Sequence, residues 1–180
     1  TIATYICALL AFSAIKNNDK VGLVIFTNQI ECSIPPKKGR KHVLALIRDL
    51  LYFQPQNRQT DLSCALEYLS RAIKRRSVVF LISDFRCRGY ESALRIASKR
   101  HDLIAVNIID ERELEFPDVG LIGLEDAETG ERIIVDTHRA GIRKQFVELA
   151  LRQQTEQRKF FKETGTNSIN IVLRRGASEG

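Results

Sequence analysis

The sequence predicts an α/β fold built on a mostly parallel sheet with helices on both faces. Three observations carry that expectation. Short apolar runs rich in Val and Ile recur at 20–27, 77–83 and 102–109, as strands buried on both faces do. Amphipathic helical stretches alternate with them, which is the rhythm of strands joined by crossover helices. The chain has 180 residues, 44% hydrophobic and 28% charged, enough to bury one sizeable core.

The elements follow in order. The opening "TIATYICALLAFSAIKNND" is helical, apolar around most of its circumference, and has no N-cap residue ahead of it. We therefore expect a segment upstream of Thr1. Asn17, Asn18 and Asp19 make a turn, and "KVGLVIFT" is the first strand. "IECSI" (30–34) alternates in polarity and pairs back as an antiparallel edge strand, stopped by Pro35 and Pro36. In "KKGRKHVLALIRDLLYF", Val43, Leu46, Ile47, Leu50 and Leu51 fall at helical spacing, and Pro55 closes the helix.

Thr60 opens the next helix, with Leu62, Ala65, Leu66, Leu69 and Ile73 on one face and Lys74, Arg75 and Arg76 at its carboxyl end. Strand 77–83, helix "YESALRIASKR" and strand 102–109 continue the alternation. It then breaks. Between Asp110 and Glu131 there are nine acids against one arginine. "VGLIGLEDAETGERIIVDT" reads as a β-hairpin turning at Ala127–Gly130, inserted at about 117–136. A long charged helix over about 139–164, broken by Gly165, leads to a last strand at 168–174. The expected organisation is one domain over 1–175 with a flexible tail at 176–180.

Composition narrows the function. The net charge is +6, but 22 acids are interspersed among 28 basic residues, so the balance alone does not point to nucleic acid. The basic groups at 37–41 and 71–76 lack interleaved aromatics and read as solvated faces, with a nucleic-acid patch as the alternative. No apolar run is long enough to cross a bilayer, and no signal-peptide pattern is present. The four cysteines, at 7, 32, 64 and 87, form no Cys-x-x-Cys pair and lie away from the histidines. They read as reduced thiols in a cytoplasmic protein, with Cys7 and Cys64 as small core residues. Nucleotide-binding glycine loops and the nucleophile-elbow motif are absent. His42, His101 and His138 have no recognisable nucleophile partner, and His101 reads as a solvated loop residue.

Chemistry is expected at the carboxyl ends of the strands, where open α/β sheets bind ligands. Thr60 and Asp61 begin a helix, and Ser83 and Asp84 end a strand; Asp110 ends another. Hydroxyls and carboxylates are hard ligands suited to Mg²⁺ or a similar divalent cation. The same residues also read as ordinary caps. Thr60 can accept a backbone N–H, Asp61 can favour the helix dipole, and Asp84 can cap its turn. Asp84 and Asp110 together would also suit a Mg²⁺-dependent hydrolase, although no nucleophile or general base is defined beside them.

"NNDKVGLVIFTNQIECSIPPKKGRKHVLALIRDLL", "QTDLSCALEYL", "RRSVVFLISDF" and "RHDLIAVNIIDERELEFPDVGLIGLEDAETGE", in that order, carry a family resemblance. The chain resembles, over about 1–175, the bacterial family called domain of unknown function fifty-eight. That family is related to the von Willebrand factor A domain and is often encoded beside MoxR-type AAA+ ATPases. The resemblance implies a Rossmann-like fold and a metal-ion-dependent adhesion site made of an Asp-x-Ser-x-Ser loop, a threonine and an aspartate. Thr60 matches the threonine and Asp84 the aspartate. The loop, and a central strand between those at 21–27 and 77–83, would lie upstream of Thr1. The resemblance further implies a non-enzymatic interaction module, an adaptor or partner of a MoxR-type ATPase or of its substrate. Such a module would dock through a cation that accepts a partner carboxylate.

Overall fold

The computed structural model describes residues 2–57, 59–110, 118–125 and 132–173. It is a mixed α/β structure with a central three-stranded parallel sheet. The chain divides into two compact units, Thr1–Arg76 with Phe85–Arg100, and Ser77–Asp84 with His101–Gly180.

The first unit holds α1 (Ile2–Lys16), β1 (Val21–Phe26), β2 (Ile30–Lys37), α2 (Arg40–Tyr52), α3 (Leu62–Ala72) and α4 (Glu91–Arg100). The apolar spacing of α2 turns Val43, Leu46 and Ile47 inward. Val43 and Ile47 share a buried cluster with Ala11 of α1, and Ala8, Ile15 and Val21 pack on it. Each large aliphatic side chain buried in this way stabilises by about 1.5–3 kcal/mol. A ring nitrogen of His42 lies 2.8 Å from the Val21 carbonyl and ties α2 to β1. Most of α1 is less covered, and its Tyr5, Leu9 and Phe12 are exposed. A second core joins α3, through Leu62, Ala65 and Leu66, to α4, through Leu94 and Ala97. Arg100 donates to the Ser70 carbonyl at 2.9 Å across that pair.

β1 and β2 form the expected antiparallel hairpin. The prolines do not stop it, however, because β2 continues through Pro35 and Pro36 to Lys37. The register slips there, from Leu23↔Ile34 to Val21↔Lys37. A bulge in a strand with an unpaired side needs no N–H from either proline. Gly22 makes room for it, since a Cβ at that position would stand 2.9 Å from the Ile34 carbonyl oxygen and 3.0 Å from the Pro36 ring.

The second unit holds β3 (Val78–Ser83), β4 (Asp102–Asp110), β5 (Leu121–Glu125), β6 (Arg132–Asp136), α5 (Ala140–Glu163) and β7 (Asn167–Leu173). β3, β4 and β7 lie parallel in that order. β4 is central and is the most buried strand, with Leu103, Ala105, Val106 and Ile109 in the core. That is why "DLIAVNII" is apolar nearly without interruption. His101, expected in solvent, is only 2% exposed. The Asp102 N–H bonds the Ser77 carbonyl at 2.9 Å, so the β3–β4 ladder begins directly after His101. Asn107 is another buried polar residue here, and its amide donates to Gln157 of α5 at 2.9 Å.

α5 ends where Gly165 was expected to break it. Gly165 has φ 67°, its N–H bonds the Lys162 carbonyl, and the Thr166 N–H bonds the Phe161 carbonyl at 2.9 Å. This is a Schellman termination, whose left-handed residue suits glycine. β5 and β6 form the expected hairpin as a separate antiparallel pair. Its base is closed by buried Thr137, whose hydroxyl donates to the Gly120 carbonyl at 2.6 Å and accepts from the Val119 N–H at 3.1 Å. Asp118 there meets His138 at 2.6 Å and Arg143 at 3.4 Å. The turn expected at 127–130 and the tail at 176–180 lie outside the described residues. The central strand expected between β1 and β3 has no counterpart among the described residues, and β1 and β3 belong to separate sheets.

Candidate functional site

In the second unit the candidate residues sit where the strands place them. Ser83 is the last residue of β3 and pairs with Asn107 of β4. Asp84 follows, exposed, with its carboxylate 3.4 Å from the Ser83 hydroxyl. Asp110 ends β4, two places beyond the residue that would face Asp84 if the ladder continued. Both carboxylates thus stand at the carboxyl edge of the parallel sheet, as the topology demands. In the first unit the chain turns sharply at Phe85, which has φ 53° and a buried ring. That left-handed conformation is uncommon for a bulky residue. The ring is held 6.1 Å, centroid to centroid, from that of Tyr90.

Thr60 and Asp61 also belong to the first unit, and here the helix start is corrected. α3 begins at Leu62, and Asp61 is its cap. The Asp61 carboxylate accepts from the Ser63 N–H at 2.8 Å and the Cys64 N–H at 3.3 Å. It satisfies two of the orphan donors at the helix end and complements its dipole. Thr60 stands two residues before the helix, ahead of its cap, and is exposed. The reason is geometric: a cap needs its oxygen over the first turn, and Asp61 already fills that place. Asp61 also lines an open groove of about 410 Å³ with Asn28, Ser63, Cys64, Glu67 and Arg71.

What positions this segment was not legible in the sequence. Glu31, early in β2, reaches the α2–α3 connection. Its carboxylate accepts from the Gln56 N–H at 3.0 Å, the Asn57 N–H at 3.2 Å and the Thr27 hydroxyl at 2.7 Å. The Gln56 N–H first, and then the Thr27 hydroxyl, hold the Glu31 carboxyl below the usual range. The Thr27 carbonyl in turn accepts from the Asp61 N–H at 2.9 Å. The pairing spans 25 residues, so no local pattern announces it.

The donor chemistry at Thr60 and Asp84 is that of a hard cation, but the number of donors is not. A hydroxyl and a carboxylate fall short of the six or more oxygens such ions take. Asp61 is committed to its helix, and no group of three His, Cys, Asp or Glu able to hold a metal occurs among the described residues. These residues alone do not fit a divalent cation. Cys7, Cys32, Cys64 and Cys87 are half-buried and not joined in disulfides among the described residues, and burial pushes the Cys7 thiol up. The basic residues at 37–41 and 71–76, Ile73 aside, are exposed as expected, and Arg71 pairs with Glu67 at 2.7 Å. No helix among the described residues is long and apolar enough to cross a membrane.

Comparison with known proteins bears on the whole chain. The family model described as "Protein of unknown function DUF58" matches residues 1–156. "Uncharacterized protein Rv1480" of Mycobacterium tuberculosis is 30% identical over 132 residues, covering 72% of this chain and 42% of that protein. "Uncharacterized protein MAV169" of Mycobacterium avium is 33% identical over 100 residues, covering 54% and 59% respectively. The chain therefore spans about two fifths of the length of the first of these relatives. Among solved structures, the conserved hypothetical protein BatB from Bacteroides thetaiotaomicron aligns with a TM-score of 0.54 at 13% identity, covering 96% of this chain and 79% of that one. An aerotolerance-related membrane protein from Bacteroides fragilis aligns with a TM-score of 0.57 at 16% identity, covering 94% and 79%. At these identities the two structures share the fold.

Proposed function

Because the chain belongs to the family described as protein of unknown function DUF58, we propose that it is a non-enzymatic protein–protein interaction module. In this reading it is an adaptor or partner of a MoxR-type AAA+ ATPase, or of that ATPase's substrate. The observation that carries the proposal is the exposed carboxylate of Asp84, which directly follows a strand at the carboxyl edge of a parallel sheet. A side chain held by a ladder of main-chain bonds is rigid enough to present one oxygen repeatedly to a partner. Thr60, exposed ahead of α3, is the second residue assigned to docking.

The family resemblance implies Mg²⁺ or another divalent cation in the intact protein, which would bridge to a partner carboxylate. Thr60 and Asp84 would each contribute one oxygen, and the remaining ligands would come from beyond these residues. What this chain itself supplies is the Asp84 carboxylate directly after β3 and the Thr60 hydroxyl ahead of α3. Capture of a purified MoxR-type ATPase by the protein tests the reading. Asp84→Ala should reduce capture several-fold, as should chelation of divalent cations in the intact protein. Capture that is the same in every condition refutes docking through these residues.

A further inference from the structure

We propose that Glu31 is the positioning residue for Thr60, an inference that rests on the docking role assigned to Thr60 above. Two anchors bracket the short segment that presents the Thr60 hydroxyl. At its start the Gln56 and Asn57 N–H groups are held by the Glu31 carboxylate, at 3.0 and 3.2 Å. At its end the Asp61 N–H is held by the Thr27 carbonyl at 2.9 Å. The two anchors are one structure, because the Thr27 hydroxyl donates to Glu31 at 2.7 Å and Thr27 is only 7% exposed. Thr27, the residue that follows β1, thus grips the segment's far end with its main chain and, through Glu31, its near end with its side chain.

The chemistry of the residue matters as much as its place. A carboxylate offers lone pairs on two oxygens and can serve three donors together. Glutamine has one carbonyl oxygen and turns two N–H donors toward groups that are themselves donors. Aspartate keeps the charge but lacks a methylene of reach. Alanine leaves two main-chain N–H groups to solvent. Holding Gln56, Asn57 and Asp61 removes backbone freedom on both sides of Thr60, which is entropy that docking through Thr60 would otherwise have to overcome. Glu31 makes no contact with a partner in this proposal; it acts through the segment it holds.

Amide hydrogen exchange on the protein, with ATPase capture as the second readout, tests the proposal. In Glu31→Ala, exchange at Gln56 and Asn57 should rise about tenfold or more, while the β4 amides keep their protection and certify the fold. Glu31→Gln, retaining one acceptor, should recover part of the protection. Capture should fall in Glu31→Ala toward the level of Thr60→Ala and recover partly in Glu31→Gln. Unchanged exchange at Gln56 and Asn57 in Glu31→Ala overturns the proposal. So does capture that falls in Thr60→Ala but not in Glu31→Ala, and that result leaves the docking reading standing. If Thr60→Ala leaves capture unchanged, the docking role of Thr60 falls, and the positioning role falls with it.

Discussion

The end of β3 and the end of β1 present candidate residues in different ways. Asp84 follows a strand paired along its length with β4, so the ladder itself sets where the carboxylate stands. Thr60 follows a connection, and its place depends on Glu31 and Thr27, which lie in the β1–β2 hairpin. The first arrangement is robust to change of any one side chain outside the core. The second hangs on a few specific acceptors. The lesson is that a site residue after a ladder-paired strand inherits its position, whereas one after a loop needs a dedicated partner.

Mutations that break the comparison rank by how deeply they reach. The largest effect is expected for Leu103→Ala in β4, where the side chain is 2% exposed. It should cost about 2–5 kcal/mol in denaturant unfolding, by lost burial and a residual cavity. Gly22→Ala should cost about 1–3 kcal/mol, because its Cβ meets main chain at 2.9 Å and one of the paired strands must move. If Gly22→Ala unfolds at the wild-type denaturant concentration, the bulge at Pro35 and Pro36 is not fixed in the way described.

Asp61→Ala removes a bonded cap and should lose about 0.5–2 kcal/mol, while Asp61→Asn should retain most of it. Thr60→Ala should change stability by less than about 0.5 kcal/mol, because the residue is exposed and outside the helix. A Thr60→Ala loss as large as that of Asp61→Ala would restore Thr60 as the cap.

Acid should sharpen the contrast between the two strand ends. Glu31 has a folded-state pKa depressed below its unfolded value. Its contribution is therefore present above the unfolded value, near about 4.3, and is lost as pH falls through the lower folded value. Exchange at Gln56 and Asn57 should accelerate as pH falls through the lowered folded-state value of Glu31, beyond the intrinsic pH dependence of exchange, and Glu31→Gln should abolish that extra acceleration. The smallest effect is expected for the exposed pair of Glu67 and Arg71 on α3. Glu67→Ala should shift stability by about 0.3–0.5 kcal/mol, less at high salt.

The sequence by itself determined the parallel strands and the helices between them. Their signals are local: apolar runs for the strands, helical spacing for amphipathic faces, and Gly165 for the end of α5; burial on both faces holds for β4, whereas Val78 and Phe80 leave β3 partly exposed and β1 is half-buried. It also placed Ser83, Asp84 and Asp110 at strand ends, because that placement follows from strand boundaries alone. Tertiary structure decided the rest. It carried β2 through two prolines, since an unpaired strand edge and a bulge demand no N–H. It buried His101, next to the first residue of the β4 ladder, and it made Asp61 rather than Thr60 the helix cap. It joined Glu31 to Gln56 and Asn57 across a separation no periodicity encodes. A hydrogen bond between distant residues leaves no repeating pattern in the chain; it exists only once folding has brought its donor and acceptor within reach.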